Sequence, residues 1–197
     1  MVKHLCLKSG ITDDEFDSLY PPAIRKISAL YFTPISVAVR AAAYLSKSAN
    51  SRVLDIGSGA GKFCIAGALH TQGEFIGVEY RKSFWLAASH IVQRYNLNHV
   101  GFIHSNIDKI DFAEYDAFYF FNSFYENVHE SNKINTEVDL NPSLYLEYSD
   151  YVKAQLDQRP IKTKVVTYFS YTKEIPPSYK LVATDFEGKL KMWEKSC

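Results

Sequence analysis

The residues whose types and spacing suit chemistry are Asp55, Gly57, Gly59, Gly61 and Glu79. They lie in Val53-Leu54-Asp55-Ile56-Gly57-Ser58-Gly59-Ala60-Gly61 and Phe75-Ile76-Gly77-Val78-Glu79. A loop that turns from a strand into a helix uses glycine for positive φ and for close backbone approach. The helix that follows presents free N–H groups, which suit an anionic part of a ligand. Two phosphate motifs miss. A dinucleotide fingerprint reads G-x-G-x-x-G, but here the third glycine comes one residue early and Lys62 stands in its place. A P-loop needs four residues before Gly-Lys and a Ser or Thr after it; here only Ser58, Gly59 and Ala60 separate Gly57 from Gly61, and Phe63 follows Lys62. Asp55 at the strand end is a poor neighbour for a pyrophosphate and suits a ligand with a cationic amino group. Its alternative role is to cap a turn that the glycines merely tighten. Glu79 ends the next strand about 20 residues beyond the loop, where an acid accepts both ribose hydroxyls of a nucleoside. Its alternative role is a surface pair with Arg81 or Lys82.

Strands and helices alternate around these residues. Arg52 to Ile56 reads as a strand, Lys62 to His70 as a helix, and Gly73 to Glu79 as a second strand. Phe84, Trp85, Ala88, Ile91, Val92 and Tyr95 mark an amphipathic helix. Val100 to His104 is a third strand, and Ala117 to Phe121 a fourth, apolar on both faces as a covered central strand is. Asn141-Pro142 opens a helix carrying Leu144, Tyr148, Val152 and Leu156. Lys164 to Tyr171 is a fifth strand. Lys180 to Phe186 and Leu190 to Trp193 form a hairpin around Glu187-Gly188. Ahead of the alternation, Thr12-Asp13-Asp14-Glu15 reads as a capping box opening a helix to Tyr20. Pro21-Pro22 opens a second to Tyr31, and Thr33-Pro34 a third, with Thr33 as its cap. The pattern predicts a doubly wound, mostly parallel sheet with helices on both faces. It is closed by an antiparallel hairpin and preceded by a short helical cap over residues 1–33, the main domain spanning 34–197.

Composition narrows the function classes. Acids and bases balance at 22 each, which argues against a long nucleic-acid partner needing a net basic face. Cys6, Cys64 and Cys197 fit no disulfide framework or metal spacing, and no metal is expected. The first residues lack the apolar run of a signal peptide, and no stretch approaches the roughly 20 apolar residues of a membrane helix. A cytoplasmic protein without a membrane partner is the expectation. The histidines have no metal spacing, and no serine stands in a nucleophile elbow.

With Val53 to Gly61 and Glu79 in place, residues 34 to 193 resemble the class I, seven-strand S-adenosylmethionine methyltransferases. The resemblance implies a three-layer α/β sandwich with strand order 3-2-1-4-5-7-6 and S-adenosylmethionine as cofactor. Asp55, Gly57 and Gly59 would then flank the methionine end, and Ser58 and Gly61 would also bind the cofactor. Glu79 would bind the ribose, with Tyr80 beside the adenine, Ile107 packed on the ring and Asn106 at its amino group, where the family often has Asp. A turn residue is the other reading of Asn106. Asn122-Ser123-Phe124-Tyr125 is similar to the Asn-Pro-Pro-Tyr motif of amino-methyltransferases, without its prolines, which implies Asn122, Phe124 and Tyr125 at the methyl-transfer point. Tyr31-Phe32-Thr33-Pro34 is similar to a segment over the cofactor in some of them, which implies a contact from Thr33. The Thr-Pro helix before the glycine loop also resembles bacterial relatives of the non-SET lysine methyltransferases.

Such a protein chiefly holds donor and acceptor in line. If a base is needed, Glu126 or His129 in the long polar segment from Tyr125 to Leu140 is the candidate, and that segment suits a substrate lid. A small-molecule N or O acceptor is the first reading, because no recognition domain is appended; a protein lysine or RNA base is the second. A dinucleotide oxidoreductase and a non-catalytic binding protein of the same fold remain as rivals.

Overall fold

A computed structural model describes residues 12–124, 127, 134, 137–138, 141–170 and 172–197. In chain order it contains α1 (Asp13–Asp17), α2 (Pro22–Tyr31), α3 (Ile35–Leu45), β1 (Arg52–Ile56), α4 (Lys62–His70), β2 (Glu74–Glu79), α5 (Lys82–Tyr95) and β3 (Val100–His104). Then follow β4 (Ala117–Phe120), α6 (Pro142–Asp157), β5 (Lys164–Tyr168), β6 (Tyr179–Asp185) and β7 (Leu190–Lys195). Two single 3-10 turns, Ile107–Lys109 and Phe112–Glu114, separate β3 from β4.

The strands form one sheet of order β3-β2-β1-β4-β5-β7-β6, the expected order. β3, β2, β1, β4 and β5 run parallel, and β7 pairs antiparallel with both β5 and β6. Side chains alternate across the sheet. Val53, Phe75 and Tyr119 pack on one face with Phe16, Ala41, Phe63 and Phe84 from the helices α1 and α3 to α5. Leu54, Ile76 and Phe118 pack on the other with Val152 and Leu156 of α6. Both faces of β1 and β4 are thus covered, which is why these strands read as continuous apolar runs. Among the described residues no single helix is long and apolar enough to cross a membrane.

Local signals account for most boundaries. Thr12 Oγ1 accepts from the Glu15 N–H while Glu15 Oε2 accepts from the Thr12 N–H at 2.8 Å, the reciprocal pair of a capping box. Asn141 Oδ1 accepts from the Ser143 N–H at 3.0 Å, with Pro142 at the first helical position of α6. Two strands end early because non-glycine residues turn left-handed after them: Asn122 (φ 44°) beyond β4 and Phe169 (φ 49°) beyond β5. Tyr171, the expected end of the fifth strand, lies outside the described residues.

The start of α3 corrects the expectation for Thr33. The helix begins at Ile35, and Thr33 does not cap it. Thr33 is buried, and its hydroxyl shares a 2.9 Å hydrogen bond with Tyr119 OH on β4. The cap comes instead from α1, where Asp13 Oδ1 accepts from the Ile35 N–H at 3.0 Å. Lys62, at the start of α4, is 2% exposed and reaches Asp13 at 2.6 Å and Asp17 at 2.8 Å. The helices ahead of residue 33 are therefore latched to the turn after the glycine loop. Phe16, Tyr20 and Ile24 join the same apolar cluster as Val53 and Phe75.

Candidate functional site

A cavity of about 370 Å³ opens where β1, β2, β3 and β4 end. Gly57, Gly59, Glu79, Tyr80, Asn106, Ile107, Asn122 and Phe124 all line it. A smaller cavity of about 30 Å³ shares Gly57, Gly59 and Phe121 with it and adds Thr33, Asp55, Ser58 and Tyr119. Eight of the residues singled out in the sequence meet in the large cavity, and Thr33, Asp55 and Ser58 meet in the small one. Gly61 lines neither. Tyr125, Glu126 and His129 lie outside the described residues.

The glycine loop is tied to the sheet. Ser58 N–H donates to Val78 O and Gly61 N–H to Ser58 O, each at 2.9 Å. Gly57 (φ 71°) stands where a Cβ would lie 2.4 Å from Ser123 Cβ, and Ser123 Oγ donates to Ile56 O at 2.5 Å. The loop after β4 thus sits directly on the loop after β1, and only glycine leaves room for both. Gly61 (φ 80°) needs its freedom for a different reason. A Cβ there would lie 2.3 Å from Phe102 on β3 and 3.0 Å from Ala88 on α5. Its side of the loop is taken up by helix–strand packing. The Ser58 hydroxyl turns toward Gly77 on β2, where an added Cβ would come within 2.5 Å of it. It is buried without a hydrogen-bond partner among the described residues.

Two carboxylates frame the loop. Glu79 is buried; its Oε2 accepts from the Gly59 N–H at 2.9 Å and its Oε1 from the Arg81 N–H at 2.7 Å. Asp55 pairs with Gly77 and Tyr119 across the sheet, on the α4 side. Its Oδ2 accepts a weak bond from the Cys64 thiol at 3.4 Å. Burial pushes the Asp55 carboxyl up to about 8, opposed by the Cys64 bond and helped by the nearby charge of Glu79. Burial likewise holds the Cys64 thiol and the Tyr119 hydroxyl well above their ordinary values, so both stay protonated. A buried carboxyl without a cation is costly, and an incoming ammonium would relieve it.

At the other end, Asn106 caps the turn Ile107–Lys109 through its Oδ1, as a turn residue does. It also lines the cavity, so the turn role does not remove it from the site. Tyr80 lines the cavity with its side chain 58% exposed. Asn122, in the left-handed region that Asn tolerates, and Phe124, packed on Phe120 at 5.3 Å, close the wall after β4. Sequence reasoning missed Arg81, Phe84 and Tyr148 as lining residues. Tyr148 was legible only as one position in the apolar stripe of α6; a contact with Asn106, distant in sequence, leaves no local signal.

A family model described as a methyltransferase domain matches residues 47–175, more than half of the chain. The chain belongs to this family. The methyltransferase shares its seven-strand, class I fold with several solved structures. An RNA methyltransferase from Salinibacter ruber, in complex with S-adenosyl-L-homocysteine, is 19% identical with a TM-score of 0.57, over 83% of this chain and 91% of that one. TrmN from Thermus thermophilus is 15% identical with a TM-score of 0.60, over 87% of this chain and 52% of that one. The [4+2]-cyclase SpnF is 15% identical with a TM-score of 0.51, over 68% of this chain and 43% of that one. The methyltransferase therefore spans about half the length or less of the last two. No curated protein matches it. The residues present fit the S-adenosylmethionine that this family and fold imply: a buried carboxyl in want of a cation, a glycine cradle, a second buried acid and an amide lining two adjoining cavities. The dinucleotide reading falls with the family assignment.

Proposed function

We propose that this methyltransferase transfers a methyl group from S-adenosylmethionine to a nitrogen or oxygen of a small, largely apolar acceptor. The observation that carries the reading is the convergence of Asp55, Gly59, Glu79, Asn106 and Asn122 on one pair of adjoining cavities. Bound there, the sulfonium cofactor supplies an already activated methyl group, so the protein's task is placement.

Asp55 is suited to hold an ammonium and Glu79 a ribose diol, while Ile107 flanks the base. Asn122 and the backbone around it are placed to orient the acceptor, with Phe124 against one side. Transfer forms a bond from the acceptor atom to the methyl carbon and breaks the carbon–sulfur bond in line; the acceptor's proton leaves to solvent. Tyr31, Phe121 and Phe124 line the cavity, and aromatic rings suit a sulfonium. Leu30, Ile134, Val138 and Leu144 add aliphatic lining at the open side, which suits an apolar acceptor and exclusion of water. Residues 1–33 act in this reading as a cap that shapes specificity, with Asp13 and Asp17 held by the Lys62 latch. A cytoplasmic setting is part of the same proposal.

An RNA base is the second reading. It is favoured by the likeness to the RNA methyltransferase whose length this chain nearly matches. The test is incubation with tritiated S-adenosylmethionine and, in separate reactions, a panel of aromatic amines and phenols, bulk tRNA and a lysine-rich protein. Label on a small molecule is the expected outcome. Label on tRNA alone would transfer the assignment to the second reading.

A further inference from the structure

Asn106 and Tyr148 meet at the nucleoside end of the large cavity, 42 residues apart in the chain. Asn106 Oδ1 accepts from the Ile107 N–H at 2.8 Å. That bond fixes which side-chain atom is the oxygen, because an NH₂ group there would face another donor. Asn106 Nδ2 then donates to Tyr148 OH at 2.5 Å. A carboxamide has two N–H donors and two carbonyl lone pairs, and these two bonds use one of each. One N–H and one lone pair remain on a side chain that lines the cavity.

That remainder has a definite complement. The 6-amino group of adenine donates and the adjacent ring nitrogen accepts, the pattern an Asn side chain reads with two bonds. A 6-oxopurine presents two acceptors, O6 and N7, at the same edge, so the Asn106 carbonyl would face another acceptor. The amide cannot rotate to match it without turning its NH₂ onto the Ile107 N–H. Tyr148 is itself held, its ring packed on Phe124 at 5.4 Å and Phe124 on Phe120 at 5.3 Å. The amide is therefore fixed from two directions, by the backbone of its own turn and by α6.

We propose that Tyr148 is a positioning residue for the nucleobase, holding the Asn106 carboxamide so that the site selects a 6-aminopurine over a 6-oxopurine. The proposal rests on the cofactor reading above. Its test is calorimetric titration of the wild type, Tyr148→Phe and Asn106→Ala with S-adenosylhomocysteine and with its 6-oxo analogue, S-inosylhomocysteine. The wild type is expected to favour the adenosyl ligand by about tenfold or more, the effect of one or two hydrogen bonds. Tyr148→Phe is expected to weaken the adenosyl ligand about five- to tenfold and the inosyl ligand by less than about twofold, so that the preference shrinks. Asn106→Ala removes the carboxamide and both of its remaining bonds, and is expected to shrink the preference as well. Equal weakening of both ligands would reduce Tyr148 to a packing residue and overturn the proposal, as would a wild type that binds both alike. A wild type that bound neither ligand would overturn the cofactor reading, and the proposal with it.

Discussion

Replacing Asp55 by Asn is expected to stabilise the ligand-free protein while destroying its cofactor site. The Asp55 carboxyl sits at about 8 in the fold, against an ordinary 3.8. Because the folded-state value is raised, the stability linked to this group is fully present below about pH 4. It is lost as pH rises and stops falling above about pH 8. Each unit is worth about 1.4 kcal/mol, so between pH 5 and pH 8 the wild type should lose up to roughly 4 kcal/mol that Asp55→Asn keeps. Urea unfolding of both proteins at half-unit steps across that range measures the difference, since every other titrating group cancels. Parallel pH curves for the two would refute the reasoning. Binding is linked to the same group. An ammonium beside Asp55 lowers its value, so binding of S-adenosylhomocysteine at pH 7 should release about one proton. Titration in phosphate and in Tris, whose ionisation enthalpies differ, counts it.

Other perturbations have equally definite outcomes. Gly57→Ala places a Cβ 2.4 Å from Ser123 Cβ in a left-handed backbone. It should cost on the order of 2 kcal/mol and weaken S-adenosylhomocysteine binding, with partial recovery of both in the double variant with Ser123→Gly by thermal melting and calorimetry. Lys62→Met strands the buried Asp17, for which a loss of about 3–5 kcal/mol is expected in urea unfolding; adding Asp17→Asn should restore part of it. Glu79→Gln keeps the shape but not the charge. It should weaken S-adenosylhomocysteine by roughly tenfold or more, while near-ultraviolet circular dichroism stays unchanged.

Much of this architecture was legible in the sequence because its signals are local. The glycine loop, the alternation of strands with helices and the Asn141-Pro142 start each depend on residues within a few positions of one another. Asp55 and Glu79 were legible because strand ends in a parallel sheet fall on one edge. Thr33 was misread as a cap because that role fits its residue type, while a tertiary partner, Tyr119, claims its hydroxyl. The packing of Phe102 and Ala88 beside Gly61 likewise left no local signal. Nothing near Ile35 in the chain announced that Asp13 would cap it, nor that Lys62 would be buried against α1. The same holds for Tyr148, whose side chain reads as core until the fold sets it beside Asn106. The fifth strand's early end at Tyr168 reflects the left-handed Phe169, a conformation that no residue preference for phenylalanine predicts.

The central claim is that the two cavities around Asp55, Gly59 and Glu79 form an S-adenosylmethionine site. Isothermal titration with S-adenosylhomocysteine, run beside NADH, tests it most directly. The account predicts saturable binding of S-adenosylhomocysteine, its loss in Glu79→Ala and no heat from NADH. No heat from either ligand, or binding that Glu79→Ala leaves unchanged, would contradict it.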